Sequence, residues 1–382
     1  MGHNQKMGKI KGMAMIILCL MANTLNAETV SISFSKDITV VESSVELKTV
    51  FSRNLGVSVN FVTSIAITSA GTNLFGIFAG GNLFIVIDEK GNVIFKKEGY
   101  WGKVSNDGKR VFVYNSSKCE YGDELIEMDL KGNILKRVQS PLIFRITDNN
   151  QYFAEFGDIE HPSNRFILTE MSTNKVVWSR DFPWNWEGKL LYDGSLILNP
   201  NPYDEKADSI TIFLYGPNGE ESWRYIFPKG YKYPDIYTGR NCFIVCVDEK
   251  KDIENKRLFV FNKQKGMLWD KKINRSQMGM SQNDRYIGVL ELTAKELILF
   301  ELSSGKEIYR TQMPQNLRYI GLNVSEQGKI ALKHRGGIII VDSEGKIIAE
   351  FSVSSRPECY WVSENLILLF SGNSIQMVRI GK

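Results

Sequence analysis

Short apolar runs alternate with polar turns along most of this chain. The runs are four to six residues long and rich in Val, Ile and Phe, and Gly, Asn and Asp residues separate them. Such runs are typical of β-strands, because β-branched and aromatic side chains fit a pleated sheet and helices need longer periodic segments. The pattern therefore predicts an all-β protein.

A larger unit, a polar turn followed by a strand, recurs along the sequence. Its eight copies start 36 to 46 residues apart, at Ser69, Ser105, Thr147, Tyr192, Thr238, Ser281, Ser325 and Ser363. This spacing fits four short strands per unit, and such a unit must stack on its neighbours to bury both faces. We predict a β-propeller of eight four-stranded blades. Seven blades is the alternative, if an atypical terminal unit packs outside the ring.

The last repeat reaches the C-terminus without its fourth strand. Residues 28–60 include TVSISF and VELKTVF, which have strand character but no repeat signature. We expect this segment to supply the missing outer strand and close the ring, which removes exposed sheet edges. Residues 61–382 would then be the propeller repeats, forming a single domain with residues 28–60.

Residues 1–27 have the layout of a secretory signal peptide. An apolar run at 13–22 follows three lysines and precedes a polar segment that ends in Leu25-Asn26-Ala27. The run is too short to span a bilayer as a helix. We predict cleavage before Glu28, a periplasmic or extracellular location, and no transmembrane segment in the mature chain.

Two other membrane attachments are compatible with an apolar N-terminus. An uncleaved anchor remains the alternative to cleavage. A lipid on Cys19 is disfavoured, because Leu18 stands where a lipobox needs a small residue.

Charge becomes nearly balanced once residues 1–27 are removed. The chain has 47 basic and 43 acidic residues, and this segment holds three lysines and no acid, which leaves 44 and 43. Nucleic-acid binding needs a concentrated positive surface, so we expect no nucleic-acid partner. The 43% hydrophobic and 24% charged content is typical of a globular protein.

Four cysteines remain in the exported chain: Cys119, Cys242, Cys246 and Cys359. Cys242 and Cys246 lie about 13 Å apart on one face of a predicted strand, too far to bridge each other. The sequence leaves the other pairings open.

Three repeats carry an Asp-x-x-Gly motif between their last two strands, at Asp88 to Gly91, Asp129 to Gly132 and Asp342 to Gly345. Glycine permits positive φ, and aspartate accepts hydrogen bonds from turn amides. A calcium loop would need more oxygen ligands at alternating positions, and Lys90 stands inside the first motif. We interpret these residues as structural turns rather than metal ligands.

Aromatic residues recur three or four positions after these turns, at Phe95, Trp178, Trp223, Trp269 and Tyr309. We expect them to stack between blades. The segments NKVVW, GEESW and KGMLW, with LSSGKEIY as a looser copy, resemble the Gly-Lys-x-x-Trp segment of quinoprotein-like (PQQ-repeat) propellers. The resemblance covers most of residues 61–382 and implies a fold that is shared with WD40-like propellers.

The resemblance also bears on function. Dehydrogenases of that superfamily bind a quinone over a disulfide between adjacent cysteines, with calcium held by Glu, Asn and Asp. This chain has no adjacent cysteines. The resemblance therefore implies a non-catalytic member with no cofactor or metal, similar to the outer-membrane assembly scaffold propeller, although that family's lipobox is missing here.

Few residues suggest catalysis. Only His161 and His334 remain beyond the N-terminal segment, and we expect both at the surface; no nucleophile-elbow, zinc-protease or phosphate-binding motif occurs. A quinoprotein-like dehydrogenase or a carboxylate-based hydrolase stays the alternative to a scaffold.

One sector of the predicted ring carries unusual connections. The second-to-third strand loops are long in four consecutive repeats, and the neighbouring links between blades are aromatic: Phe182, Trp184, Trp186, Phe227, Tyr231 and Tyr233. Aromatic residues on the loops of a rigid scaffold are common anchors for partners. We predict a monomeric scaffold that binds a protein or a glycan here. Alternatively, Trp184 and Trp186 fill gaps between the third and fourth blades.

Overall fold

The computed structural model describes residues 37–67, 71–80, 82–98, 101–105, 107–115, 123–140, 143–147, 151–156, 165–182, 186–200, 209–249, 252–355 and 357–381. The predicted signal peptide, the strand TVSISF, Cys119 and His161 lie outside these ranges. Within them the chain forms strands and turns, and no helix is long and apolar enough to cross a membrane.

Two strands precede the repeats, β1 (Ile38–Ser43) and β2 (Leu47–Asn54). The first four repeats contain β3 (Val59–Ile67), β4 (Asn73–Ala79), β5 (Leu83–Asp88), β6 (Val93–Glu98), β7 (Trp101–Val104), β8 (Arg110–Asn115), β9 (Asp123–Asp129), β10 (Ile134–Ser140), β11 (Ile143–Ile146), β12 (Tyr152–Phe156), β13 (Arg165–Glu170), β14 (Val176–Asp181), β15 (Trp186–Leu190), β16 (Leu196–Pro200), β17 (Thr211–Tyr215) and β18 (Glu221–Ile226). The last four contain β19 (Tyr231–Thr238), β20 (Cys242–Glu249), β21 (Asp252–Asn262), β22 (Gly266–Asn274), β23 (Ser276–Met280), β24 (Tyr286–Glu291), β25 (Glu296–Glu301), β26 (Glu307–Gln312), β27 (Tyr319–Val324), β28 (Ile330–His334), β29 (Gly337–Val341), β30 (Ile347–Val353), β31 (Glu358–Ser363), β32 (Leu366–Ser371) and β33 (Ser374–Ile380).

These strands form eight antiparallel sheets, which confirms the prediction of an eight-bladed propeller. From β3 onward, each set of four consecutive strands makes one sheet, and the last set has three strands, β31 to β33. We number the blades from 1, which contains β3 to β6, to 8, which contains β31 to β33. The seven-bladed alternative is wrong, because the terminal unit is a blade of the ring.

The N-terminal strands pair with the last two blades. β2 is the outer strand of blade 8, with Leu47 opposite Ile380 and Asn54 opposite Ser374. β1 pairs with β30 and gives blade 7 a fifth strand that the repeat pattern does not predict. That the ring depends on β2 for its closure stays a prediction.

Hydrophobic cores lie between neighbouring blades. The described residues form eight such clusters, one for each pair of adjacent blades. The cluster between blades 8 and 1 includes Phe51 of β2, Phe75 of blade 1 and Phe370 of blade 8. Burial of apolar area between blades is the main force that holds a repeat architecture together.

The turn at Asp88 shows how hydrogen bonds and a glycine stabilise the three hairpins that carry the Asp-x-x-Gly motif. The Asp88 carboxylate accepts hydrogen bonds from the amides of Lys90 at 2.9 Å and Asn92 at 2.8 Å. Gly91 has φ +79°, a conformation that costs glycine little. The same arrangement occurs at Asp129 with Gly132 and at Asp342 with Gly345.

Aromatic residues of the outer strands pack against the turn glycines of the next blade. A Cβ placed on Gly219 of blade 4 would lie 2.7 Å from the ring of Trp178 in blade 3. A Cβ placed on Gly91, Gly305 or Gly345 would likewise lie 2.7 to 2.8 Å from an aromatic ring of the preceding blade. The rings are those of Phe51, Trp269 and Tyr309, respectively. The predicted position between blades is confirmed for Trp178, Trp269 and Tyr309 by these contacts, and for Phe95 and Trp223 by their place in the cores of blades 1 and 2 and of blades 4 and 5.

The ring has two faces that differ in their loops. We call the face with these Asp-x-x-Gly turns the turn face. The opposite face carries the second-to-third strand loops and the links between blades, and we call it the connector face. At blade 5, Tyr231 and Glu249 lie at the connector face, and Thr238 and Cys242 lie at the turn face.

Candidate functional site

Two of the six predicted binding residues lie in cores between blades. Phe182 is 5% exposed and belongs to the cluster between blades 3 and 4, and Phe227 is 1% exposed and belongs to the cluster between blades 4 and 5. Trp184 lies outside the described residues, as do the side chains of Trp186 and Tyr233. The binding role of these five residues stays a prediction.

The sixth residue, Tyr231, lies at the connector face and is only partly buried. Its ring meets Phe259 edge-on, with 5.7 Å between centroids, and Phe259 in turn meets Phe227 at 4.8 Å. Aromatic rings continue this column toward the turn face: Tyr225, Phe261, Phe243 and Trp223. The column gives Tyr231 a rigid base.

The strands of blade 5 are longer than those of its neighbour. β21 has 11 residues and β22 has nine, whereas the matching strands β25 and β26 of blade 6 have six each. The sequence predicts a long loop at residues 248–256, but β20 continues to Glu249 and β21 begins at Asp252. We call residues 248–249 and 252–257, with the facing ends 231–235 and 270–274, the blade 5 extension.

On the side toward blade 4, the extension carries an arginine between two acceptors. Arg257 lies on the same side of β21 as Phe259, two residues further along, which belongs to the core with blade 4. Its guanidinium forms an ion pair with Asp270 and lies 3.5 Å from the Tyr231 hydroxyl. The hydrogen bond that the guanidinium donates to Asp270 raises the pKa of Arg257. This side therefore presents a fixed cation beside an aromatic hydroxyl.

On the side toward blade 6, the charges have a different arrangement. The Lys256 ammonium lies 2.9 Å from Asp248 and 3.7 Å from Asp235, whose side chain is 62% exposed. Burial lowers the pKa of Lys256, but the hydrogen bond to Asp248 and the neighbouring negative charges outweigh it, so the pKa is raised. Two carboxylates around one ammonium leave this side acidic.

The signal for these residues lies in the same stretch that the sequence marks as a long connection. Lys256 ends that stretch and Arg257 follows it, so strand alternation sends these two cations to opposite sides of β21. Asp248 lies opposite Lys256 in the ladder of β20 and β21. Knowledge of that register would have identified the ion pair.

The cysteines in the described residues are buried thiols. Cys242 and Cys246 lie in the core between blades 5 and 6, and Cys359 lies in the core between blades 7 and 8. Burial raises the pKa of Cys246 and of Cys359 to about 12, which keeps both thiols protonated at neutral pH.

His334 is buried, so the expectation of a surface position is wrong. It ends β28 at a tight hairpin and is 4% exposed, and its ring meets Tyr319 at 6.3 Å between centroids.

Among the described residues, no group of three or more His, Cys, Asp or Glu side chains could hold a metal ion.

Stability should fall in mild acid because of His334. Burial lowers the pKa of His334 from its ordinary value of 6.5, so the folded protein holds the neutral ring while the unfolded chain takes up a proton. The stability that the neutral ring contributes is present above pH 6.5 and is lost as the pH falls through the lowered value. We expect the difference in Tm between pH 7.5 and pH 5.5 to be smaller in His334→Gln, measured by calorimetry. An unchanged difference would contradict this role.

No protein-family model matches the sequence, and no curated protein matches it at the level of sequence. Several solved structures match the fold. BamB from Moraxella catarrhalis has 11% identity and a TM-score of 0.56 over 87% of this chain and 100% of its own. The Dos1 propeller has 10% identity and a TM-score of 0.57, covering 87% and 95%. Sqt1 from Saccharomyces cerevisiae has 9% identity and a TM-score of 0.55, covering 87% and 98%.

Proposed function

We propose that this protein is an exported scaffold that binds a partner protein through the blade 5 extension on its connector face. The observation that carries the proposal is the charge of the extension, which has an ion pair on each of its two sides. Tyr231 lies beside the ion pair of Arg257. Irregular, charged segments on a rigid scaffold are where binding usually resides. The signal-peptide pattern of residues 1–27 supports export.

A protein partner fits this surface better than a glycan. Fixed charges of both signs select a complementary charge pattern, and such patterns set specificity and association rate in protein interfaces. A glycan would use the six predicted aromatic residues, and among them Tyr231 is the one whose side chain is described as partly exposed.

A charge swap tests the proposal without changing net charge. Asp235→Lys combined with Lys272→Glu inverts two exposed positions of the extension, where the side chains are 62% and 58% exposed. The matched control swaps an exposed pair on the turn face, Glu344→Lys with Lys346→Glu, where the side chains are 70% and 73% exposed. Because all four positions are exposed, both proteins should fold like the wild type.

The measurement is quantitative cross-linking and capture from the native envelope fraction. We expect the wild type and the turn-face control to recover the same partner, and the extension swap to recover at least about ten-fold less, the effect of roughly 1.4 kcal/mol. Equal recovery by both swaps would contradict a binding role for the extension. Enrichment of a glycan in place of a protein would reassign the partner class.

A further inference from the structure

The outer strands of blades 1 to 3 share an exposed apolar feature. Each has two successive aliphatic residues just after the turn: Val93 and Ile94 at 51% and 36% exposure, Ile134 and Leu135 at 47% and 55%, and Val176 and Val177 at 58% and 42%. We call β6, β10 and β14 the rim strands. Exposed aliphatic pairs in three adjacent blades are unusual, since soluble proteins seldom expose clustered apolar groups without a function.

Blade 7 shows what covers this position. Its outer strand β30 has the same pair, Ile347 and Ile348, at the same distance from the turn glycine. Ile348 is only 9% exposed, and β1 is paired along this strand, where Ser44 donates a hydrogen bond to the Ile348 carbonyl at 3.0 Å. The equivalent residues of the rim strands are 36% to 55% exposed. In blade 7, where β1 forms a fifth strand, the second residue of the aliphatic pair is therefore buried.

The backbone of each rim strand offers the groups that such a strand needs. Within the described residues, β6, β10 and β14 are terminal in their sheets and pair on one side only. An unpaired outer edge presents alternating N–H and C=O groups and can accept an extended segment. The rim strands thus combine an unpaired backbone edge with exposed apolar side chains.

Charge indicates the chemistry of the incoming segment. Exposed Lys96 and Lys97 follow the aliphatic pair in β6. Lys136 and Arg137 follow it in β10, where Arg137 is paired with Glu124 and Lys136 donates to Asn174, so β6 offers the more available cations. Cross-strand pairs of opposite charge stabilise a sheet, and like charges oppose pairing. A segment with β-branched and acidic residues fits these edges. β1 has the β-branched part of this pattern in Ile38 and Val40, but its Glu42 lies opposite Glu350 of β30, so charge does not account for its pairing with blade 7.

We propose that the rim strands, β6 foremost, are docking edges for an extended acidic segment of another protein, which adds to a blade as β1 adds to blade 7. This surface lies on the circumference of the ring and is independent of the blade 5 extension.

A peptide of this protein's own sequence is a suitable probe. A fluorescent peptide with residues 37–45, DITVVESSV, would be titrated into the full-length protein and followed by anisotropy. We expect saturable binding that weakens at least ten-fold in the rim variant Ile94→Ser/Leu135→Ser/Val177→Ser, which removes the apolar side chains and leaves the charge unchanged. The matched control Met267→Ser/Ile308→Ser changes similarly exposed outer-strand residues of blades 5 and 6, at 41% and 43%, and should bind normally.

Two further readouts distinguish strand addition from other modes of binding. A peptide with proline in place of Val40 lacks a ladder donor and should bind at least ten-fold more weakly. Hydrogen exchange should slow in the amides of β6 when the unmodified peptide binds. No saturation up to about 1 mM, protection confined to β30, or equal binding of the proline peptide would overturn the proposal. Self-association that the rim variant abolishes would assign these edges to a second copy and overturn it as well.

Discussion

Phe51→Ala should lower the free energy of unfolding by about 3 kcal/mol. Phe51 is 7% exposed and reaches from β2 into the core between blades 8 and 1, where its ring lies against the turn glycine Gly91. Its removal leaves a cavity in a core whose other members come from both ends of the chain. The substitution should therefore weaken the packing between the first and last blades.

Urea denaturation followed by tryptophan fluorescence measures this loss. Val50→Ala is the matched control, because Val50 precedes Phe51 in β2 and is 41% exposed. We expect the control to change stability by less than about 0.5 kcal/mol. If both variants unfolded like the wild type, β2 would be dispensable and the prediction that it closes the ring would be wrong.

The repeated part of the fold could be predicted because its determinants are local. Asp88 accepts hydrogen bonds from residues two and four positions away, and Gly91 supplies positive φ within the same turn. Polar turns between apolar runs recur in every repeat, three of them with this Asp-x-x-Gly motif, so the number of blades follows from the number of copies. Local signals of this kind need no knowledge of the tertiary structure.

The fifth strand of blade 7 could not be predicted in this way. Ile38 lies opposite Val353, near the other end of the chain, and no local pattern in ITVVES specifies that edge rather than another. Strand pairing depends on which edges are open in the finished sheet, and that is a property of the assembled ring.

The candidate site was located only in part, for a related reason. The sequence places it on long connections and aromatic links, which stays a prediction, and it treats Phe182 and Phe227 as exposed anchors. Both rings turn back into the gaps between blades, because a large aromatic group at a blade junction gains more from burial than from solvent. The ion pair of Asp248 and Lys256 depends on the register of β20 against β21. The sequence predicts a loop at these residues, and a loop has no register from which the pair could be inferred.

Gly219→Ala should lower the free energy of unfolding by about 3 kcal/mol. Gly219 has φ +80°, which costs an alanine about 1 kcal/mol, and a Cβ there would lie 2.7 Å from the Trp178 ring. The ring cannot retreat freely, since it stacks on Phe166 with 4.6 Å between centroids. Overpacking against a fixed ring adds about 2 kcal/mol.

Gly132→Ala separates the two contributions. Gly132 occupies the same turn in blade 2 with φ +87°, and no atom lies within 4 Å of a Cβ built there. Urea denaturation should show a loss of about 1 kcal/mol for Gly132→Ala and about three times as much for Gly219→Ala. Equal losses would mean that backbone strain alone accounts for glycine at these turns. A clear excess for Gly219→Ala would show that the contact between a turn glycine and an outer-strand aromatic links neighbouring blades. Because Phe51 makes the same contact with Gly91, β2 would then serve blade 8 as the outer strands of blades 3, 5 and 6 serve theirs.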